Sequence, residues 1–173
     1  MSNKTASSGK VRRGDGRRQR GNRTGFTTGA CSAAAARAAT LGLLTGEVPK
    51  EIVCRLPNGQ EVRFAVAEGR IEGEGTARSA RAVIVKDAGD DPDATNGAHL
   101  TADVRLLPDS AGEIVLKGGV GVGVVTKEGL GLQVGGPAIN PVPRRNIGDN
   151  LRAIAGSLLD QHGLEVTLSV PGG

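Results

Sequence analysis

Apolar residues fall along this chain in blocks of changing period. Residues 30–44 read ACSAAAARAATLGLL, an almost unbroken small-apolar run in which alanine predicts a helix. Thr27 and Thr28 offer hydroxyl caps at its start, and Gly46 is a natural stop. The period then changes to two. EIVCRLPNGQEVRFAVAE, residues 51–68, alternates on either side of Pro57-Asn58-Gly59 and predicts a hairpin. Strands are expected over about 80–85, over 99–107, and over 113–117 after a PDSAG turn. NIGDNLRAIAGSLLDQHG returns to helical spacing, with Ile147, Leu151, Ile154, Leu158 and Leu159 on one stripe and Gly163 as its expected cap. LEVTLSV, residues 164–170, is a last alternating strand.

The order helix, run of strands, helix, strand predicts an α+β fold, a mostly antiparallel sheet packed by two main helices. Composition changes one detail. With no Trp or Tyr and only two Phe in 173 residues, the core must be built from Val, Leu, Ile and Ala. That length suits one domain.

The net charge of +4 conceals an uneven distribution. Residues 1–23 hold Lys4, Lys10, Arg12, Arg13, Arg17, Arg18, Arg20 and Arg23 against one acid, Asp15, so the remainder is acidic. A basic Ser/Gly-rich segment without large apolar residues predicts a disordered tail over 1–22, followed by the α+β domain over 23–173. Such a tail can bind nucleic acid, but no aromatic residue interleaves its arginines to stack on bases, and a solvated tail is the simpler reading. No apolar run has the length of a membrane span, and no apolar block follows the N-terminal charge as in a secretory signal. Two cysteines, Cys31 and Cys54, without a framework of paired spacings fit a reducing, cytoplasmic compartment.

Candidate chemistry sits between the elements. KDAGDDPDATNGA, residues 86–98, places Asp87, Asp90, Asp91 and Asp93 within seven positions, which costs stability unless a cation or donor faces them. It is not an EF-hand loop: counted from Asp91, the bidentate Glu position is Ala102. The only two histidines are 63 residues apart, so no zinc spacing exists and no metal site is expected. Gly119, Gly121 and Gly123 alternate in a stretch that reads as strand, leaving one face bare for a flat ligand or for another backbone. The stretch closes with no G-K-[ST] and opens no helix, so it is neither a Walker loop nor a dinucleotide fingerprint. Lys86, Lys127, Arg144 and Arg145 are expected in the same loops, where they suit a substrate with several carboxylates. A solvated surface explains the loop charges equally well. Cys31 falls in a first helical turn, where a thiol can be activated, yet a small buried hydrophobe is the plainer reading.

Four stretches together carry a resemblance: RTGFTTGACSAAAA (23–36), KDAGDDPDATNGA (86–98), GGVGVGVVTKEGL (118–130) and GGPAINPVPRRNI (135–147). In this order they resemble the cobalt-precorrin-5B C1-methyltransferase family (CbiD) of anaerobic cobalamin biosynthesis, over about residues 23–173. The resemblance implies methyl transfer from S-adenosylmethionine to C1 of a cobalt-corrinoid, a large, flat polycarboxylate. It implies Asp87 and Asp91 as candidates for handling the proton. It further implies substrate or donor contacts for Thr27, Thr28, Lys86, Asp90, Asp93, Gly119, Gly121, Gly123, Lys127, Asn140, Arg144 and Arg145. Members of the family are longer, so this chain is expected to be the N-terminal portion, with the donor site possible in the missing half. A homodimer, or a scaffolding role for this half, is compatible with the same residues.

Overall fold

A computed structural model describes residues 25–87, 89, 96–129 and 131–171. The expected basic tail, and with it Asp90, Asp91 and Asp93, lies outside the described residues.

Helix α1 spans Thr28–Thr45 and ends on Gly46 in the left-handed region. Its residues Ala33 to Ala36, Ala38 and Ala39 have no exposed surface. A helix of alanines presents no long side chains, so it sinks against a sheet on one side and a helix on the other. Strands β1 (Glu51–Arg55) and β2 (Glu61–Ala65) form the expected hairpin as a separate two-stranded sheet. The main sheet has five strands: β3 (Glu68–Glu72), β4 (Ser79–Val85), β5 (His99–Leu107), β6 (Ile114–Gly118) and β7 (Gly163–Ser169), in the order β3-β4-β5-β7-β6. Helix α2 covers Pro141–Leu159.

The two helices pack together on one face of this sheet. Ala80, Ala82 and Ile84 of β4, Leu100, Ala102 and Val104 of β5, and Leu164, Val166 and Leu168 of β7 point into the core, joined by Ile147 and Leu151 of α2. The alternation leaves the opposite face largely polar, with Val83 and Val85 of β4 as apolar exceptions. There Arg81 pairs with Asp103 across β4 and β5, and Glu165 of β7 is gripped by Arg105 of β5 and Lys117 of β6. The α+β class and the mostly antiparallel sheet with two helices are as expected.

Four expectations are corrected. Strand β3 was not foreseen, because EGRIE has a single β-branched residue. Strand β6 does not turn back on β5: β7 inserts between them and pairs with β6 in parallel. Helix α2 starts at Pro141, so Arg144 and Arg145 are helical and not in a loop. Prolines in a first turn remove N–H groups that have no intrahelical partner anyway, so Pro141 and Pro143 open the helix where a break was expected. Gly163 begins β7 and is not the cap of α2. A side chain there would meet the carbonyls of Ser110 at 2.5 Å and Glu113 at 2.9 Å.

Candidate functional site

The starts of both helices converge. Gly29, in the first turn of α1, packs on Pro143 in the first turn of α2, where even a methyl group would sit 3.0 Å from the proline ring. Thr27 caps α1, its Oγ1 accepting from the Ala30 N–H at 3.0 Å. Among the described residues, the N–H groups of Thr28, Gly29 and Val142 have no acceptor. Pro141 and Pro143 contribute none, and Arg144 N–H bonds to Asn140 O at 3.0 Å. Two positive helix ends with unpartnered donors therefore meet at one place.

A groove opens there in two adjoining lobes. The apolar lobe, about 670 Å³, is walled by Phe26, Thr27, Thr28, Val122, Ile139 and Asn140, with Gly121 and Gly123 at its rim. The basic lobe, about 690 Å³, lies between the β1–β2 hairpin and the helices and carries Arg37, Arg55 and Arg145 with Glu61 and Asp149. Leu56, Pro57, Val142 and Asn146 wall both lobes.

Asn150 ties the hairpin to α2 beneath the basic lobe. Its amide donates to Arg55 O at 2.9 Å and to Asn146 O at 2.9 Å, while its Oδ1 accepts from Arg55 N–H at 3.0 Å. The Arg37 guanidinium donates to Asn150 O at 3.1 Å. Asn146 is buried, and its amide nitrogen has no acceptor among the described residues.

The acidic stretch begins at the groove's edge. Asp87 O accepts from Phe26 N–H at 2.9 Å, and its Oδ1 accepts from Gly89 N–H at 2.8 Å. Lys86 is buried and donates to Thr28 Oγ1 at 3.3 Å.

The structure thus gathers Thr27, Thr28, Gly121, Gly123, Asn140 and Arg145 in the groove, with Lys86 and Asp87 against its wall. Lys127 and Arg144 line neither lobe. The glycines do not form a bare strand: β6 ends at Gly118 and the chain turns. Side chains at Gly119 and Gly121 would run into Ser169 Oγ and Val170 O, and Gly121 has a φ of 78°. Their close approach to the end of β7 explains both, and only the rim position of Gly121 and Gly123 touches the groove. Both cysteines are buried, and burial pushes each thiol up to about 11. For Cys31 this outweighs the lowering by Lys86. Neither is a nucleophile in this state.

Sequence reasoning missed Arg37, Arg55, Asn146 and Asn150. A signal existed for one of them, since Arg37 is the single charged residue of α1. The others come together only through the hairpin's docking on α2.

An α+β domain with an arginine-bearing groove at the meeting of two helix starts is the class that fold and site define. The CbiD family model matches residues 15–173, and the chain belongs to that family. It is 76% identical to the cobalt-precorrin-5B C(1)-methyltransferase of Dechloromonas aromatica over 95% of this chain and 41% of that protein. It is 65% identical to the protein of the same name from Methylococcus capsulatus, over 91% of this chain and 40% of that one. The crystal structure of the cobalamin biosynthesis protein (cbiD) from Archaeoglobus fulgidus superposes with a TM-score of 0.58 at 26% identity, over 84% of this chain and 43% of that one. The chain spans about two fifths of the length of the relatives it matches.

Proposed function

We propose that this chain contributes the corrinoid-binding part of a methyltransferase that transfers the methyl of S-adenosylmethionine to C1 of cobalt-precorrin-5B. The observation that carries the reading is the convergence of two helix N-termini on a groove, in a chain whose 76% identical relative bears that enzyme's name. Each lobe lies within the range of about 300–1,000 Å³ usual for ligand pockets, and the two adjoin, so the groove admits something larger than one lobe. Unpartnered N–H groups at helix starts favour anionic groups, which a polycarboxylate macrocycle supplies.

The methyl donor fits the groove poorly. Its sulfonium and amino groups outweigh its one carboxylate and leave it a net cation, while the groove's two positive helix ends and three guanidinium groups outweigh Glu61 and Asp149. The part of the chain with the right sign is the acidic stretch from Asp87 onward, with Asp91, Asp90 and Asp93 as its further carboxylates. Methyl transfer makes a carbon of the macrocycle the nucleophile, so the protein's tasks are to hold that carbon still and to manage a proton. Phe26, Ile139 and Val122 give the macrocycle an apolar seat, and Asp87 stands beside it as a candidate proton acceptor. Lys127 and Arg144, outside both lobes, are left without a part in this seat.

Val142→Glu in the full-length enzyme tests the reading. Val142 is exposed, walls both lobes and lies in the first turn of α2, where an acid favours the helix. The variant should fold, raise KM for the corrinoid by about tenfold or more, and leave KM for S-adenosylmethionine unchanged. An unchanged corrinoid KM would remove the groove from substrate binding. Wild-type turnover by Asp87→Asn and Asp91→Asn variants would remove the acidic stretch from the chemistry.

A further inference from the structure

The basic lobe has a composition that the apolar lobe's role does not require. Arg37, Arg55 and Arg145 come from α1, the end of β1 and the start of α2, and they share one cavity wall. Among the described residues, no carboxylate lies within ion-pair distance of any of them, although Glu61 and Asp149 line the same lobe. Elsewhere the chain pairs its arginines readily: Arg81 and Arg105 each hold a carboxylate through two nitrogens. Two further donors are orphaned beside the lobe. Arg37 Nε and the Asn146 amide nitrogen are buried without acceptors. A buried donor left unmade is costly, so a ligand that supplies acceptors at this wall gains more than an exposed contact would.

The scaffold holds the Arg37 guanidinium and the Arg55 backbone in place before any ligand arrives. Asn150 fixes the backbone of Arg55 through both its N–H and its carbonyl, and its own carbonyl takes the Arg37 guanidinium. Forked cations with no carboxylate partner are the recognition element for planar carboxylates.

We infer that the basic lobe is a carboxylate subsite, in which Arg37, Arg55 and Arg145 grip the acid side chains of a large ligand whose apolar body occupies the adjoining lobe. The inference rests on the groove being the corrinoid seat and adds which residues read the ligand's carboxylates. It separates Arg145 from Arg144, its neighbour in sequence, which faces neither lobe.

The test uses this 173-residue chain and uroporphyrin, a flat macrocycle with eight carboxylates, as the probe. The porphyrin's own visible absorbance and fluorescence, well separated from protein absorption, report binding. Wild type should bind saturably. The double variant Arg55→Gln with Arg145→Gln, both at exposed positions, should weaken binding by about tenfold or more while keeping the far-UV circular dichroism of wild type. Arg144→Gln, which removes one positive charge from the turn that also holds Arg145, should bind within about twofold of wild type. Equal weakening by Arg144→Gln and by the pair would reduce the effect to diffuse charge and overturn the subsite. Undiminished binding in the pair, or no saturable binding in wild type, would overturn it as well. Undiminished binding in the pair overturns the subsite and leaves the groove as the macrocycle's seat, whereas no saturable binding by wild type counts against both, so the two failures are distinguishable.

Discussion

Asn150→Ala is the substitution with the largest expected effect on the groove. Asn150 is almost fully buried and makes three short side-chain bonds, two to the Arg55 backbone and one to Asn146 O. Each is worth about 1 kcal/mol net, and the partners left behind at Asn146 and beneath the hairpin are poorly placed to recruit water. The expected loss is about 3 kcal/mol, or roughly 6–12 °C in Tm for a domain of this size. Urea unfolding followed by far-UV circular dichroism measures it directly, since the chain lacks the indole and phenol groups used for intrinsic fluorescence. Asn150→Asp sharpens the experiment. It keeps acceptors for Arg55 N–H and loses both donated bonds, so its cost should be substantial as well. A loss below about 1 kcal/mol for Asn150→Ala would show that the hairpin is held by its apolar contacts and that Asn150 does not organise Arg37 and Arg55.

Two further outcomes follow from charge and burial. The Glu165 carboxyl is lowered from 4.5 to about 2, first by the Arg105 hydrogen bonds and then by Lys117, against an opposing effect of burial. A depressed folded value means that its stabilisation is present above about 4.5 and is lost as pH falls towards 2. The full displacement corresponds to at most about 3.5 kcal/mol, and with Arg105 and Lys117 more than half exposed, roughly 1–2 kcal/mol survives screening. Stability measured near neutrality and again at about pH 3 should therefore fall further in wild type than in Glu165→Gln; equal falls would refute the assignment. Iodoacetamide at about pH 8 should leave Cys31 and Cys54 unmodified in the folded chain and label both in denaturant. Rapid labelling of the native chain would show that the thiols are less buried than the structure places them.

What the sequence disclosed and what it hid divide along physical lines. Local signals carried the alanine helix, the Pro57-Asn58-Gly59 hairpin and strand β5, whose bounds at His99 and Leu107 were read correctly. In each, propensity, period and turn residues agree. Pairing between remote segments was hidden: nothing in EIVLK says that its partner is β7, some fifty residues on, or that the two run parallel. The Pro-rich start of α2 was hidden for a different reason. Proline ends a helix from within and opens one at its start, and PVP gives both signals at once. That ambiguity moved Arg144 and Arg145 into a loop, and it hid the convergence of the two helix starts. Arg37 and Asn150, 113 positions apart, meet only once the helices are docked.

The division of the groove into two lobes has a consequence for how a ligand must lie. Apolar walls and unpartnered helix-start donors border one lobe, and the guanidinium groups border the other. A ligand whose carboxylates enter the basic lobe leaves its apolar body in the lobe walled by Phe26. Phe26 N–H is bonded to Asp87 O, so that body lies beside the start of the acidic stretch. On the proposed reading, carboxylate recognition by Arg37, Arg55 and Arg145 and placement of a reacting carbon near Asp87 are two ends of one constraint. The two sets of residues should accordingly differ in kinetic signature. Loss of the arginines removes binding that substrate and transition state share, and raises KM. Loss of an acid that acts on the proton lowers kcat and leaves KM in place.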